Sequence, residues 1–327
     1  MTKPYLKMLD VYYGAKCNLS CNQCDTRSNV VRDTDKDPDI ETILEGITLA
    51  KEKFEIELYS VIGGEPLLYL DKIDIILTHI RKIDPTAKIQ FSTNGTLLSK
   101  HVDEVADFLI KHESGLFVCN HFAAFDAKMT SKITEGVNQL VTKLGLPKDD
   151  ANQFLKKFMQ LDNPRKDPYF GKWIDQNKEY FLGEQPNDHY YCNDKIFVHF
   201  RPQFDFKKNH YMQAAKPKPF KTGLPHISYK EGCSSPMCNF LLDKKIYKCS
   251  ALGTVKKLLE FHNSLDDPDW KKYVNYQALN LETCSEGDVL KFHFSKFCAI
   301  PECDMCGTDH FIRNKEDVIN VQISRME

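Results

Sequence analysis

Short β-rich runs alternate with helical stretches along residues 5 to 119, and this alternation restricts the chain to a few architectures. The apolar patterns predict strands over residues 6–13, 57–64, 87–95 and 115–122, and helices over residues 39–54, 71–83 and 100–112. Repeated βαβ units form a parallel sheet, which closes into a barrel or stays open as a doubly wound sheet. In either case functional groups gather at the carboxyl ends of the strands.

The alternation breaks after the fourth predicted strand. The next strand signal lies at residues 195–200, much further on than the roughly 30 residues of a simple βαβ unit, so we predict an insertion over about residues 121–194. It holds a predicted helix at 148–161 and an aromatic-rich segment at 167–192, and it serves either as a lid over the site or as surface decoration. A basic linker follows at residues 201–223, which is either solvated or a strip that contacts phosphate groups.

The composition is that of a globular protein with a large core and a smaller second domain. The chain has 327 residues, of which 42% are hydrophobic and 28% are charged, and its formal net charge is −2. That charge gives no global basic field, so neither nucleic acid nor an anionic membrane is an expected partner. The first residues show no signal-peptide pattern and no stretch has membrane-spanning length, so we expect a cytoplasmic protein.

The twelve cysteines are unevenly placed. Cys17, Cys21 and Cys24 form one group, and six more form a second group at positions 233, 238, 249, 298, 303 and 306. In a reducing compartment, thiols at short spacings bind metals more often than they form disulfides. Three thiolates on one loop would hold three irons of a four-iron cluster and leave the fourth iron open to a ligand. A zinc ion with a fourth ligand from a distant part of the chain is the alternative.

Two further motifs combine with the first cysteine group. "GGEPLL" at 63–68 and "STNG" at 92–95 each follow a predicted strand. Together with the CxxxCxxC spacing, they resemble the radical S-adenosylmethionine (SAM) enzymes. That resemblance implies an α/β fold with a partial (β/α)6 TIM-type barrel, and a [4Fe-4S] cluster whose open iron binds S-adenosyl-L-methionine.

The resemblance also implies roles for residues outside the cysteine loop. In the family, the GGE motif holds the methionine amino group and the later segment contacts the ribose and carboxylate. The matching residues are Gly63, Gly64, Glu65, Pro66, Ser92 and Asn94. Glycine lets main chain approach a ligand closely, and a glutamate suits a cationic ammonium group. The family usually has an aromatic residue before the third cysteine, where this chain has Gln23.

The second cysteine group resembles the auxiliary-cluster modules called SPASM and twitch, which occur at the C-termini of many radical SAM enzymes. We therefore predict a barrel domain over residues 1–223 and a cysteine-rich α+β module over 224–327, with helices at 253–265 and 267–279. The ligands implied for one auxiliary [4Fe-4S] cluster are Cys233, Cys249, Cys303 and Cys306, with Cys238 and Cys298 as alternates. A structural zinc ion held by the same thiolates is the competing interpretation.

The resemblance implies an enzyme that cleaves SAM reductively and uses a 5'-deoxyadenosyl radical to abstract a hydrogen atom from its substrate. A ferredoxin or flavodoxin would supply the electron. We expect oxidation or cross-linking of a peptide or protein side chain. Dehydrogenation or epimerisation of a nucleotide or sugar is the alternative, and in an epimerisation Cys119 would return the hydrogen atom. A non-catalytic iron-sulfur or zinc protein is the contrasting class, although neither Glu65 nor Asn94 is required to hold iron.

Overall fold

Strands and helices alternate through the first part of the chain, as its sequence predicts. The computed structural model describes residues 3–30, 37–149, 188–202, 206–230, 233, 235–307 and 310–311. The alternating elements are β1 (Tyr5–Tyr12), α1 (Ile40–Lys53), β2 (Glu55–Ile62), α2 (Leu70–Ile83), β3 (Lys88–Thr93), α3 (Val102–His112), β4 (Gly115–Cys119) and α4 (Ala127–Lys143). Side-chain caps fix two of the helix starts, because Asp39 accepts a hydrogen bond from Thr42 N and Asp126 from Met129 N.

One large sheet carries most of the strands. The later strands are β5 (Lys148–Asp149), β6 (His189–Cys192), β7 (Phe197–Arg201), β8 (Phe206–Lys207), β9 (Tyr211–Gln213), β10 (Lys216–Lys218), β11 (Cys238–Leu242), β12 (Lys245–Tyr247), β13 (Leu279–Asn280) and β14 (His310–Phe311). The strand order in the large sheet is β13-β12-β11-β1-β2-β3-β4-β7-β6-β5. Strands β11, β1, β2, β3, β4 and β7 pair in parallel. Their order follows the chain from β1 to β7, as in a barrel built from consecutive βα units.

Helices α1 to α4 all pack on the same face of this sheet. Ile47 of α1, Ile76 of α2 and Val137 of α4 are fully buried in one apolar core with alternate residues of the strands, such as Leu9 and Val118. A doubly wound sheet would carry helices on both faces, so the one-sided packing identifies the barrel type of architecture. The opposite, concave face holds polar side chains at the alternate positions.

The C-terminal part contains four described helices, α5 (Pro225–Lys230), α6 (Ser250–Phe261), α7 (Lys271–Val274) and α8 (Glu286–Ser295). The helix predicted at 267–279 was wrong in extent, because Leu279 pairs with Ile246 in the sheet instead. Helix α8 was not predicted, although Ser285 and Asp288 form a capping box at its start. Strand β11 lies inside the predicted C-terminal module and pairs with β1, so this segment completes the sheet of the barrel.

Most of the predicted insertion lies outside the described residues, including the aromatic-rich segment as far as residue 187 and all but the first two residues of the helix predicted at 148–161. Those first two residues form β5 and pair with β6. No helix in the described part of the chain is both long and apolar enough to cross a membrane.

Candidate functional site

The first cysteine group lies on a loop that leaves the carboxyl end of β1. Successive turns shape the loop: Cys24 N donates to Cys21 O at 3.3 Å and Arg27 N donates to Cys24 O at 3.2 Å. Cys21 is buried, whereas Cys17 and Cys24 are partly exposed. Burial and the nearby Glu65 raise the pKa of Cys17 well above its usual value, and the thiols of Cys21 and Cys24 add to the effect. The three thiols therefore lie within electrostatic range of one another.

The glycine motif packs directly against the start of this loop. Gly64 N donates to Gly14 O and Glu65 N donates to Lys16 O, both at 2.9 Å. A Cβ added to Gly64 would lie 1.9 Å from Lys16 O, and one added to Gly63 would lie 2.4 Å from Gly14 O. Among the described residues, the atoms that leave no room for a side chain at Gly63 and Gly64 are therefore backbone atoms of the cysteine loop. The sequence prediction explained the two glycines by the close approach of a ligand instead.

Glu65 and Asn94 connect the remaining motif to the cysteine loop. Glu65 is 1% exposed and accepts hydrogen bonds from Thr93 Oγ1 at 2.6 Å and from Asn94 N at 3.0 Å. Burial raises the pKa of Glu65 to about 7 against the effect of these hydrogen bonds. Asn94 Nδ2 donates to Asn18 Oδ1 at 2.9 Å, inside the cysteine loop. The structure therefore brings the three predicted motifs into one hydrogen-bonded network.

Two other predicted residues sit beside this network. Pro66 opens a single 3₁₀ turn, Pro66–Leu68, and the Glu65 side chain caps it by accepting a hydrogen bond from Leu67 N. Ser92 lies on the concave face of β3, opposite Phe117 of β4 in the register. Ser92 therefore faces the inside of the half-barrel, while Thr93 faces Glu65.

Gln23 occupies the position that is usually aromatic in radical SAM enzymes, and the structure gives it a different use. Its Nε2 atom donates to His210 O at 2.9 Å, and its Oε1 atom accepts from Asn209 N at 3.1 Å. These two bonds attach the cysteine loop to the basic linker. Both partners are backbone groups, so a glutamine satisfies them and an aromatic side chain would not.

The second cysteine group gathers around the start of helix α6. Burial, followed by the thiol of Cys233, raises the pKa of Cys249 to about 12, and Cys303 contributes in the same direction. Cys298 lies near the same group, because it acts electrostatically on the buried Lys248 together with Cys303, Cys233 and Cys249. Cys238 starts β11 and pairs with Met8 instead. The structure thus brings three of the four predicted ligands into mutual electrostatic range, and Cys306 is linked to them through Arg27.

Cysteine thiolates are the usual protein ligands of iron-sulfur clusters, so both cysteine groups are chemically suited to hold one. Each group consists of thiols on backbone held by hydrogen bonds. The pKa values of Cys17, Cys249 and Cys303 are raised, so metal binding at these thiols must displace protons. Near the second cysteine group, the Nε and Nη1 atoms of the buried Arg27 have no hydrogen-bond partner among the described residues. Within the described ranges, no three His, Cys, Asp or Glu side chains form a group of the kind that holds one metal ion.

The concave face carries functional groups that the sequence interpretation missed. Asp10 lies opposite Ser60, which in turn lies opposite Gln90. Burial raises the pKa of Asp10 to about 7, with the nearby Asp25 adding to the effect and a hydrogen bond from Ser60 opposing it. Polar residues at alternate positions of apolar strands were the signal for these groups, but only the register shows that they meet.

A second polar cluster lies at the carboxyl ends of β4 and β7. Cys119 pairs with Arg201 across the two strands. Arg201 Nη2 donates to Asp188 Oδ2 at 2.9 Å, and His199 Nε2 lies 2.8 Å from the same oxygen. The Phe117 ring stacks on His199, with ring centroids 4.5 Å apart. Cys119 therefore lies beside an ion pair of the partly exposed Arg201 and the buried Asp188 on the concave face.

The fold and site together define a barrel-type βα domain with a three-cysteine loop at the carboxyl end of its first strand. A family model described as the Radical SAM superfamily matches residues 11–124. Residues 11–124 thus match the domain of a family that uses a four-iron cluster with SAM. The match includes all three motifs that the sequence interpretation singled out.

Solved structures of similar fold were also found. Streptococcus suis SuiB bound to precursor peptide SuiA is 14% identical, with a TM-score of 0.35 over 86% of this chain and 71% of that one. SuiB bound to S-adenosylmethionine is 13% identical, with a TM-score of 0.39 over 87% and 65% of the two chains. Native anSMEcpe with bound AdoMet is 14% identical, with a TM-score of 0.39 over 89% and 97%. No curated protein sequence matches the chain.

Proposed function

We propose that this protein is a radical SAM enzyme that oxidises or cross-links a side chain of a peptide or protein. When bound on Cys17, Cys21 and Cys24, a reduced [4Fe-4S] cluster would cleave SAM to a 5'-deoxyadenosyl radical, which takes a hydrogen atom from the substrate. The observation that carries the proposal is the network joining the cysteine loop to Glu65 and Asn94. A loop that held only a structural metal would not need that network.

Glu65 is the proposed acceptor for the amino group of SAM. A carboxylate offers about four lone-pair positions, and Thr93, Asn94 and Leu67 occupy three of them. An ammonium group at the remaining position would stabilise the charged form of the carboxyl group, whose pKa burial raises to about 7. Ser92 and Asn94 are the proposed contacts to the ribose and carboxylate.

A peptide or protein substrate is supported by a cavity beside the cysteine loop. The cavity has a volume of about 540 Å³ and lies between that loop, the linker and helix α6. Its wall includes the large apolar side chains of Tyr211, Met212 and Phe261, which are 43%, 50% and 54% exposed. Exposed apolar groups at a cavity favour a ligand with apolar side chains over a sugar or a nucleotide.

The same proposal assigns an auxiliary [4Fe-4S] cluster to Cys233, Cys249, Cys303 and Cys306, within a module over residues 224–327. Its support is the position of these partly exposed thiols around helix α6 and the cations next to them. A ferredoxin or flavodoxin is the proposed electron donor. Iron and acid-labile sulfide analysis separates this cluster from a zinc ion held by the same residues.

Epimerisation is the second candidate outcome, and one observation favours it. Cys119 lies on the concave face directly opposite Arg201, where a thiol could return a hydrogen atom to a substrate radical. Oxidation lowers the product mass by two hydrogen atoms: the 5'-deoxyadenosyl radical takes one, and the second leaves as a proton when the substrate radical gives one electron to the proposed auxiliary cluster. Epimerisation leaves the mass unchanged in H₂O, and in D₂O it replaces one hydrogen atom by deuterium from the exchanged thiol, which raises the mass by about one unit. Mass spectrometry of a turned-over peptide therefore distinguishes the two.

Formation of 5'-deoxyadenosine tests the proposal. The anaerobically reconstituted and reduced protein is incubated with SAM, and the product is measured by chromatography. We expect C17A, C21A and C24A to abolish cleavage, and C284A, which removes an isolated thiol, to retain it. Cluster-loaded protein that yields no 5'-deoxyadenosine would favour the non-catalytic class.

A further inference from the structure

Arg27 is a buried cation on the cysteine loop. Its side chain is 1% exposed, and its Nη2 atom donates to Asn209 Oδ1 at 2.7 Å. Its Nε and Nη1 atoms are also buried, and neither has a hydrogen-bond partner in the part of the chain that the structure describes. An unmade hydrogen bond of a buried charged donor is costly. A ligand that accepts hydrogen bonds would satisfy the N–H groups on these two nitrogen atoms.

The charged groups around Arg27 favour a negatively charged ligand on the cysteines. Burial lowers the pKa of Arg27, while Asp25 and the thiols of Cys24, Cys306 and Cys249 act in the opposite direction. Packing also joins this loop to the C-terminal group, because Val30 lies in a buried cluster against which Cys249 and Cys306 pack. His210, on the linker side, adds no competing cation, because burial and Arg27 lower its pKa to about 3.

A second buried cation faces the C-terminal cysteine group. Lys248 is 1% exposed and donates to the carbonyl oxygens of Ser295 and Cys298. Its electrostatic partners are Cys303, Cys233, Cys249 and Cys298. Arg27 and Lys248 therefore both act on Cys249. A four-iron core with four thiolates carries a formal charge of about −2, and its potential depends on that charge and on hydrogen bonds to the sulfur atoms.

We propose that the Arg27 guanidinium donates hydrogen bonds to the sulfur atoms of an auxiliary iron-sulfur cluster on the C-terminal cysteines and raises its reduction potential. This inference rests on the proposed auxiliary cluster. Reduction adds one negative charge to the cluster, and a fixed cation beside it stabilises the reduced form more than the oxidised form. Arg27 acts as a positioning residue here, through the charge and donors that it presents.

Redox titration of the full-length, anaerobically reconstituted protein tests the inference. The C-terminal cluster is followed by electron paramagnetic resonance, and its signal is assigned with a C17A/C21A/C24A variant that lacks the N-terminal ligands. At a fixed solution potential, we expect R27Q to lower the ratio of reduced to oxidised C-terminal cluster at least tenfold. For a one-electron couple, this corresponds to a fall of about 59 mV in the reduction potential of the cluster. R27K keeps the positive charge on a shorter side chain, so it should shift the ratio less than R27Q does.

R81Q is the matched control. Arg81 is another half-buried arginine, and its guanidinium donates to backbone carbonyls of residues 85, 87, 112 and 113. Its loss should leave the ratio unchanged. An R27Q protein with wild-type iron content and an unchanged ratio would overturn the inference, and so would equal shifts in R27Q and R27K.

Two further outcomes remain decisive. If R27Q does not assemble the cluster, the uncharged R27M variant carries the test, and an unchanged ratio in R27M overturns the inference. Iron analysis before the titration shows whether the wild-type C-terminal cysteines hold iron. If they hold none, both the proposed auxiliary cluster and the inference are wrong. SAM cleavage at the N-terminal group is measured separately, so the two failures are distinguishable.

Discussion

The contact between Gly64 and the start of the cysteine loop allows a direct test of how the site is built. In G64A, the new Cβ would lie 1.9 Å from Lys16 O and 2.5 Å from Lys16 C. Both atoms belong to the backbone, so no side-chain rotation relieves the overlap. Residues 14–16 and 63–65 must move apart.

The magnitude follows from what that movement breaks. Two hydrogen bonds of 2.9 Å, Gly64 N to Gly14 O and Glu65 N to Lys16 O, span the contact. Their loss costs about 1 kcal/mol each, and overpacking adds roughly 1–3 kcal/mol. We expect urea denaturation to show G64A less stable than wild type by about 3–5 kcal/mol. Iron bound by the N-terminal cysteines should fall with it, because Cys17 directly follows the displaced segment.

G287A is the matched control for the glycine substitution. The nearest atom to a Cβ at Gly287 is the Ser285 hydroxyl at 3.7 Å, and the residue lies in the first turn of α8. Alanine there should change stability by less than about 1 kcal/mol, in the stabilising direction. A G64A protein with wild-type stability and iron content would refute the reasoning, because the loop contact would then not determine the site.

Three other predictions follow from the buried polar groups. Burial raises the pKa of Asp10 from 3.8 to about 7, so between these values the folded protein keeps a proton that the unfolded chain has lost, and stability falls as pH rises. D10N should therefore be more stable than wild type by up to ~4 kcal/mol at pH 8 and equal near pH 4 in urea titrations. Y69F removes hydroxyl bonds to Lys16 N and Asp37 and should cost about 1–3 kcal/mol by thermal unfolding. E65Q should weaken SAM binding roughly ten- to a hundredfold in calorimetry, since a charge-assisted hydrogen bond is worth about 1.5–3 kcal/mol; unchanged affinity would exclude Glu65 as the ammonium acceptor.

The elements of the barrel could be predicted from sequence because local patterns determine them. The β-rich runs and amphipathic helices up to Cys119 appear within two or three residues of their predicted bounds. The side of the sheet on which each helix packs could not be predicted, since a crossover pattern is the same in a barrel and in a doubly wound sheet. Leu279 likewise looked helical, and its pairing with Ile246 overrode local propensity.

The candidate site also contains residues that could be predicted from the sequence and residues that could not. Cys17, Glu65 and Asn94 belong to short motifs that each follow a strand, so their meeting at one edge of a parallel sheet was predictable. Arg27 has no such motif. It lies near Cys249 and Cys306 only because the cysteine loop packs on helix α6, where Thr254 Oγ1 donates to Asp25 O at 3.0 Å. Contacts across such a separation in sequence leave no local periodic signal.

The two cysteine groups are parts of one folding unit, and strand β1 explains why. It pairs with β2 on one side and with β11 on the other, and its carboxyl end continues into the cysteine loop. That loop holds Gln23 and Arg27 at φ of +59°, a left-handed conformation that costs about 1 kcal/mol or more for such residues.

The loop keeps this conformation because of bonds to distant segments. Gln23 is bonded to the backbone of residues 209 and 210, and Arg27 is bonded to the Asn209 side chain. Val30 packs in one buried cluster with Leu252 and Leu258 of α6. Disturbing the C-terminal segment removes both the neighbour of β1 and the support of the loop. If the second group holds the proposed auxiliary cluster, its loss should therefore alter the first group through the fold itself, without any direct contact between their thiols.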